Sequence, residues 1–268
     1  MRRPIRARRH LAALGVTGLL GLALAPAAGA ATIDNSSHYY SGNGTTADGS
    51  GGPALVFHGT TAYTAGSSGG TSQAFSLDGR SYLSAPDATV ANYGSRDLSA
   101  FLRFKTTSFT QMDILSKRSG CATGSLLDIR TFVSGGSGFV RAELQDASNP
   151  QTSVQVPFAF ADGNFHTIFL ARNGAQLTLN VDGTSNTITN GLTTLDNGAP
   201  LELGSGGCVG TDGTNDFTGA IDQVFLGVTV PPTAALPELA HPAVLAAGAL
   251  GLAGAFGGLR ARRRRSTV

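Results

Sequence analysis

The sequence predicts an all-β body between two apolar ends, and three observations carry this reading. Short apolar runs alternate with polar residues at the two-residue period of a strand, clusters of Gly, Asn and Ser punctuate them, and no apolar repeat of helical period occurs across residues 31–230. Many short strands at such spacing build a sandwich or a barrel. About 200 residues suffice to enclose a sizeable core.

The N-terminal end reads as a secretory signal peptide over residues 1–30. MRRPIRARRH is basic, LAALGVTGLLGLALA is apolar, and Ala28-Gly29-Ala30 is a small-x-small cleavage site. Arg8-Arg9 leaves both the general and the twin-arginine export routes open. At the other end, Leu239 to Leu259 is an apolar run about long enough to cross a bilayer as one helix, and RARRRR follows it in residues 260–268 as the segment that stays inside. Residues 231–238, beginning with Pro231-Pro232, read as a linker. LPELA followed by an apolar helix and arginines resembles bacterial C-terminal sorting signals, closest to the Pro-Glu type read by exosortase-like enzymes; a plain tail anchor is the other reading. Either way the body is expected outside the cell, held at the membrane or wall.

Removing both ends inverts the charge. Ten of the 19 Lys and Arg residues lie in the two ends, whereas all 17 Asp and Glu lie between Ala31 and Glu238, so the exported body is acidic. No basic patch points to nucleic acid, and an acidic surface suits solubility and divalent cations.

Within the body, LSAFLRFK puts Leu98, Ala100, Leu102 and Phe104 on one face of a strand and Ser99, Arg103 and Lys105 on the other. SLLDIR, GFVRAELQ and FTGAIDQVFLG are further strands. Phe165 to Arg172 and Gln176 to Val181 are expected to form a hairpin around Asn173-Gly174, with a second turn at Asp182-Gly183. Leu177, Leu179 and Val181 face one side, and Thr178 and Asn180 the other.

These motifs carry a resemblance. Asp-Gly-x-aromatic-His at Asp162 to His166, a hydrophobic strand, and a strand ending in Val-Asp-Gly at Gly183 resemble the hallmark of laminin-G-like domains. AFSLDG, LSAFLRFKTT with DILSKR, LELG and FTGAIDQVFL resemble the family's other strands in the same order, from about His38 to Val228. The resemblance implies a concanavalin A-like fold: a two-sheet antiparallel jelly-roll sandwich over residues 31–230. Phe101 and Phe165 stand where the family often has Trp.

The resemblance and the residues together suggest few sites. Cys121 and Cys208, the only cysteines, lie in turns of an exported body and are expected to pair, as similar cysteines do in bacterial members of the family. Many laminin-G-like domains bind Ca²⁺ at the sandwich rim, which makes Asp212, Asn215 and Asp216 in CVGTDGTNDF the candidate ligands, with Asp97 as an extra one if its loop folds close. Asp222 belongs to the closing strand. His166 has no partner histidines at ligand spacing and no Gly-x-Ser-x-Gly nucleophile elbow, so it reads as part of its strand. A glycosidase of this fold needs facing carboxylates. Glu143 and Asp146 are three apart and Glu202 has no acidic residue two or four positions away, so no catalytic residue is assigned and the chain is not expected to be an enzyme. The expected role is a surface module that binds polysaccharide or a cell-surface or matrix protein, with sugar stacking falling to Tyr39, Tyr40, Tyr63, Tyr82 or Tyr93. A passive coat component is the alternative.

Overall fold

The computed structural model describes residues 37–60, 62–118, 124–146, 151–190, 194–206 and 216–228. The expected signal peptide (1–30), linker (231–238), membrane helix (239–259) and basic tail (260–268), together with Cys121, Cys208, Asp212 and Asn215, lie outside the described residues.

Among the described residues there are strands and no helix, in two antiparallel sheets. Labels run in chain order. The eight-stranded sheet contains β1 (His38–Tyr40), β3 (Tyr63–Ala65), β4 (Gln73–Asp78), β6 (Leu98–Lys105), β11 (His166–Asn173), β12 (Gln176–Val181), β13 (Thr184–Thr189) and β15 (Thr218–Gly227), in the order β13-β12-β11-β6-β15-β4-β3, with β1 beside the end of β15. The seven-stranded sheet orders β10 (Thr152–Pro157), β9 (Ser137–Gln145), β8 (Leu126–Ser134), β7 (Met112–Arg118), β14 (Glu202–Leu203), β5 (Tyr82–Ser84) and β2 (Val56–His58).

Alternation decides which side of each strand is buried. Leu98, Ala100, Leu102 and Phe104 of β6 enter one core with Leu177, Leu179 and Val181 of β12 and with Ile129, Val140 and Val154 of the facing sheet. β11 lies between β6 and β12, which explains why it is apolar on both faces: Ile168 and Leu170 point into the core, and Phe169 packs outside with Phe101, Phe225 and Tyr39.

The hairpin expected at Asn173-Gly174 forms one residue later. Asn173 pairs with Gln176, so Gly174 and Ala175 are the central residues, and only Gly174 has positive φ (54°). Gly first, with negative φ following, gives the type II′ family of turns rather than one with two positive φ values. At Asp182-Gly183 both residues have positive φ, 46° and 89°, as expected of Asp-Gly in a tight hairpin.

Two irregularities re-aim side chains. In β7 the register shifts between Asp113 and Leu115, which puts Asp113 and Ser116, three apart, on one face. In β15 a shift between Asp222 and Phe225 does the same for that pair, with Gln223 at φ 51°. Asp222 lies in the closing strand, as expected. It accepts bonds from Ser67 N (2.8 Å) and Ser67 Oγ (2.6 Å), pinning the 66–72 loop over the sheet.

Candidate functional site

The outer face of the seven-stranded sheet carries a transverse polar row. Val56, Ser84, Glu202, Ser116, Asp128, Glu143 and Ser153 are direct cross-strand partners in succession. At about 4.8 Å per strand the row is about 29 Å long. Its middle is sealed: Ser116, Asp128 and Glu143 are 1%, 0% and 2% exposed.

Arginines hold the sealed carboxylates. Arg118 Nη1 lies 3.4 Å from Asp128 Oδ2 and Arg130 Nε 3.6 Å from the same oxygen. Arg130 also donates from Nη2 to Glu143 Oε2, and Arg141 Nη1 lies 3.3 Å from Glu143 Oε1. Burial pushes Asp113 up to about 6, with the Glu143 and Asp216 charges adding to the effect and Arg130 and Arg118 opposing it. Burial likewise holds Asp128 well above the usual carboxylate range, and raises Glu202 with help from Asp216 and Asp113. The acidic neighbours that Glu202 lacks along the chain therefore reach it from β7 and from the segment before β15.

Two half-exposed aromatic patches lie along one side of the row. Toward one end Phe132 and Phe139 pair across β8 and β9, their ring centres 6.3 Å apart. The Arg141 guanidinium lies 3.4 Å over the centre of Phe132, and its Nε and Nη2 donate to Gln155 Oε1 at 3.0 and 2.7 Å. Toward the other end, on the same side, Tyr82 stacks on His58 at 4.4 Å and 12°, with His58 Nε2 2.7 Å from Ser84 Oγ. Four strand steps separate β5 from β9, about 19 Å.

Of the other tyrosines, Tyr40 and Tyr93 are core residues, Tyr63 packs on Phe57 and Phe75, and Tyr39 packs on the Phe101–Phe225 cluster. Sequence reasoning missed the Phe132–Arg141–Gln155 array, because its members come together only through the register of β8, β9 and β10. Phe109 was also missed; it is 47% exposed and stacks on Phe160 at 5.3 Å.

His166 is a buried clamp. Nδ1 lies 2.8 Å from Asp182 Oδ2 and Nε2 2.9 Å from Asp162 Oδ1, so both ring nitrogens are engaged. Burial pulls its pKa down, but the bonds to Asp182 and Asp162 outweigh burial and hold it above the usual value. The Asp-Gly-x-aromatic-His and Val-Asp-Gly motifs thus meet as one fastening between the turn before β11 and the turn after β12.

Asp97 does not approach Asp216. β6 and β15 run antiparallel, with Gly227 opposite Ser99 and Ala220 opposite Lys105. Asp97 precedes β6 and Asp216 precedes β15, so they sit at opposite ends of these strands, on the order of 25 Å apart. Asp97 instead accepts from Gly174 N at 2.7 Å, capping the β11–β12 hairpin. Among the described residues no group of three or more His, Cys, Asp or Glu is placed to hold a metal ion.

Solved structures share this fold. Domain 4 of AbnA, a GH43 extracellular arabinanase from Geobacillus stearothermophilus in complex with arabinotriose, superposes with a TM-score of 0.55 at 17% identity, over 76% of this chain and 97% of that one. The binding domain of botulinum neurotoxin DC in complex with rat synaptotagmin II gives 0.52 at 13% identity, over 81% and 52%. Domains LG4-5 of the mouse laminin alpha1 chain give 0.45 at 20% identity, over 57% and 40%. This chain therefore spans nearly all of the arabinanase domain, but only about half of the neurotoxin domain and less of the laminin fragment. No protein-family model and no curated protein sequence matches the chain.

Proposed function

We propose that this chain is an exported, non-catalytic surface protein whose sandwich binds polysaccharide across the outer face of the seven-stranded sheet. The observation that carries this is the pair of aromatic patches, Tyr82–His58 and Phe132–Arg141, about 19 Å apart along one side of a polar row. Sugar rings stack on aromatic faces while their hydroxyls bond to fixed polar groups. Arg141 is already stacked and bonded to Gln155, so a ligand would not have to order it.

Catalysis fits this face poorly. Asp128 and Glu143 share one side, as glycoside hydrolysis requires, but both are sealed from solvent and engaged by guanidinium groups. The arabinanase domain's complex with arabinotriose supports a glycan ligand, and the neurotoxin domain's complex with synaptotagmin supports a protein as the second reading.

A glycan array tests the proposal. Saturable binding should appear, and Tyr82→Ala should weaken it by about tenfold or more with little change in melting temperature. Arg141→Ala should weaken it as much and also lower the melting temperature, because the buried Glu143 loses one of its two guanidinium partners. Silence from a folded wild-type protein would return the chain to the class of passive coat components. Anchoring is tested separately: deleting residues after Pro237 should release the body into the medium, and retention of the truncated protein would remove the anchor.

A further inference from the structure

A second candidate site lies at the start of the other sheet and does not depend on the sheet-face reading. His38, on β1, is 6% exposed, and its Nδ1 is 2.7 Å from Asp48 Oδ2. Asp48 is itself fixed by bonds from Tyr39 N (2.9 Å) and Ser50 N (2.8 Å). Bonds from His38, Tyr39 N and Ser50 N outweigh the effect of burial and hold the Asp48 carboxyl below its usual range. An ionised carboxylate only accepts, so Nδ1 carries the proton and the ring is locked in orientation.

The far nitrogen, Nε2, has no hydrogen-bond partner among the described residues. The ring lines a cavity of about 270 Å³ together with Gly52, Asp87, Thr89, Ala91 and Asn92. Asp87 Oδ1 accepts from Thr89 N and Thr89 Oγ1 at 2.8 and 2.7 Å, which leaves Oδ2 unspent. Gly52 is required here, because a Cβ would run into Asp48 Oδ2 and come 3.0 Å from His38 Nδ1. Ala91 holds φ 63°, a conformation an L-residue adopts at a cost, in the turn that forms the cavity wall.

A buried, oriented imidazole and a spare carboxylate oxygen around a polar space of this size match vicinal hydroxyls. A carboxylate accepts from two adjacent O–H groups, and the imidazole bonds a third. A metal ion is the poorer fit, since one imidazole and one carboxylate provide too few ligands. We propose that His38 and Asp87 form a site for a single hydroxyl-rich ring of hexose size, a polyol site separate from the sheet face.

The test uses the full-length protein and methyl hexopyranosides, with glycerol as the non-ring control. Imidazole ¹H–¹⁵N spectra follow His38 directly. Millimolar methyl hexoside should shift the His38 signals saturably. Asp87→Ala, a change at the surface, should weaken that response by about tenfold. His38→Phe should abolish the binding measured by calorimetry. Arg141→Ala should leave the His38 response intact, so failure of the sheet-face reading and failure of this one are distinguishable. No His38 shift in folded protein, an equal shift in Asp87→Ala, an equal response to glycerol, or a response to Zn²⁺ alone would each overturn the proposal.

Discussion

Replacing Lys117 by Ala should cost the domain about 3 to 4 kcal/mol, measured by urea unfolding at neutral pH. Lys117 is 1% exposed, and its Nζ donates to Ala88 O at 2.6 Å and Ala199 O at 2.7 Å. It fastens two loops to the end of β7, and without it both carbonyls lose this donor. The same residue leaves a mark on the pH profile. Burial pushes its pKa from 10.5 down to about 8, against partial opposition from Asp196 and Asp87. Between these values the unfolded chain holds the proton and the folded chain releases it, so stability rises as pH rises. Wild-type melting temperature should climb from about pH 8 to about pH 9.5, and Lys117→Met should flatten the climb. Above the usual tyrosine range the trend should reverse, because burial raises Tyr40, Tyr63 and Tyr82 and the unfolded chain then loses protons first. A flat wild-type profile across the alkaline window would show that Lys117 is not held as described.

His166→Ala should cost about 2 kcal/mol near pH 5.5 and less at pH 8. The His166 pKa is raised, so its contribution is complete below the unfolded value of 6.5 and is lost as pH rises through the folded value. The aspartates act in the opposite sense. Asn164 and His166 bonds bring Asp162 down to about 2, and Asp182 is lowered as bonds from His166 and Thr167 N outweigh its burial. Their contribution is present above the unfolded value of 3.8 and is lost as pH falls through the folded values. The clamp is therefore strongest between about pH 4 and 6.5, and thermal melts from pH 3 to 8 should show the wild-type and variant curves furthest apart there. Curves that stay parallel throughout would mean that His166 carries no charge-linked role.

The strands that alternate cleanly were legible in the sequence: β6, β12 and β15 lie where alternation and turn residues put them, and β12 begins and ends where expected. The Asp-Gly turn was legible too, because its φ requirement is local. What escaped was whatever depends on register between distant strands. Asp113 and Ser116 share a face only through a bulge, and Glu202 meets its acidic neighbours only from β7 and from the segment before β15. Lys117 in DILSKR is buried as a fastener for loops 29 and 82 residues away in sequence, contacts that no local pattern carries. Asp97 failed as a partner for Asp216 because antiparallel pairing sends the two in opposite directions.

The pairing of β1 with the end of β15 sets His38 opposite Leu226, about 5 Å apart at the Cα atoms. Entry and exit of the described body are thus one doorway, and the fold behaves as a closed loop of chain. Such a unit can be spliced into a surface hairpin of another protein with little separation of the host's ends. It can equally be rewired, with the old ends joined by a short bridge and new ones opened at Gly135-Gly136, where the β8–β9 turn has no side chains and both residues hold positive φ. The core strands β6, β7, β11 and β12 would keep every neighbour in such a permuted chain.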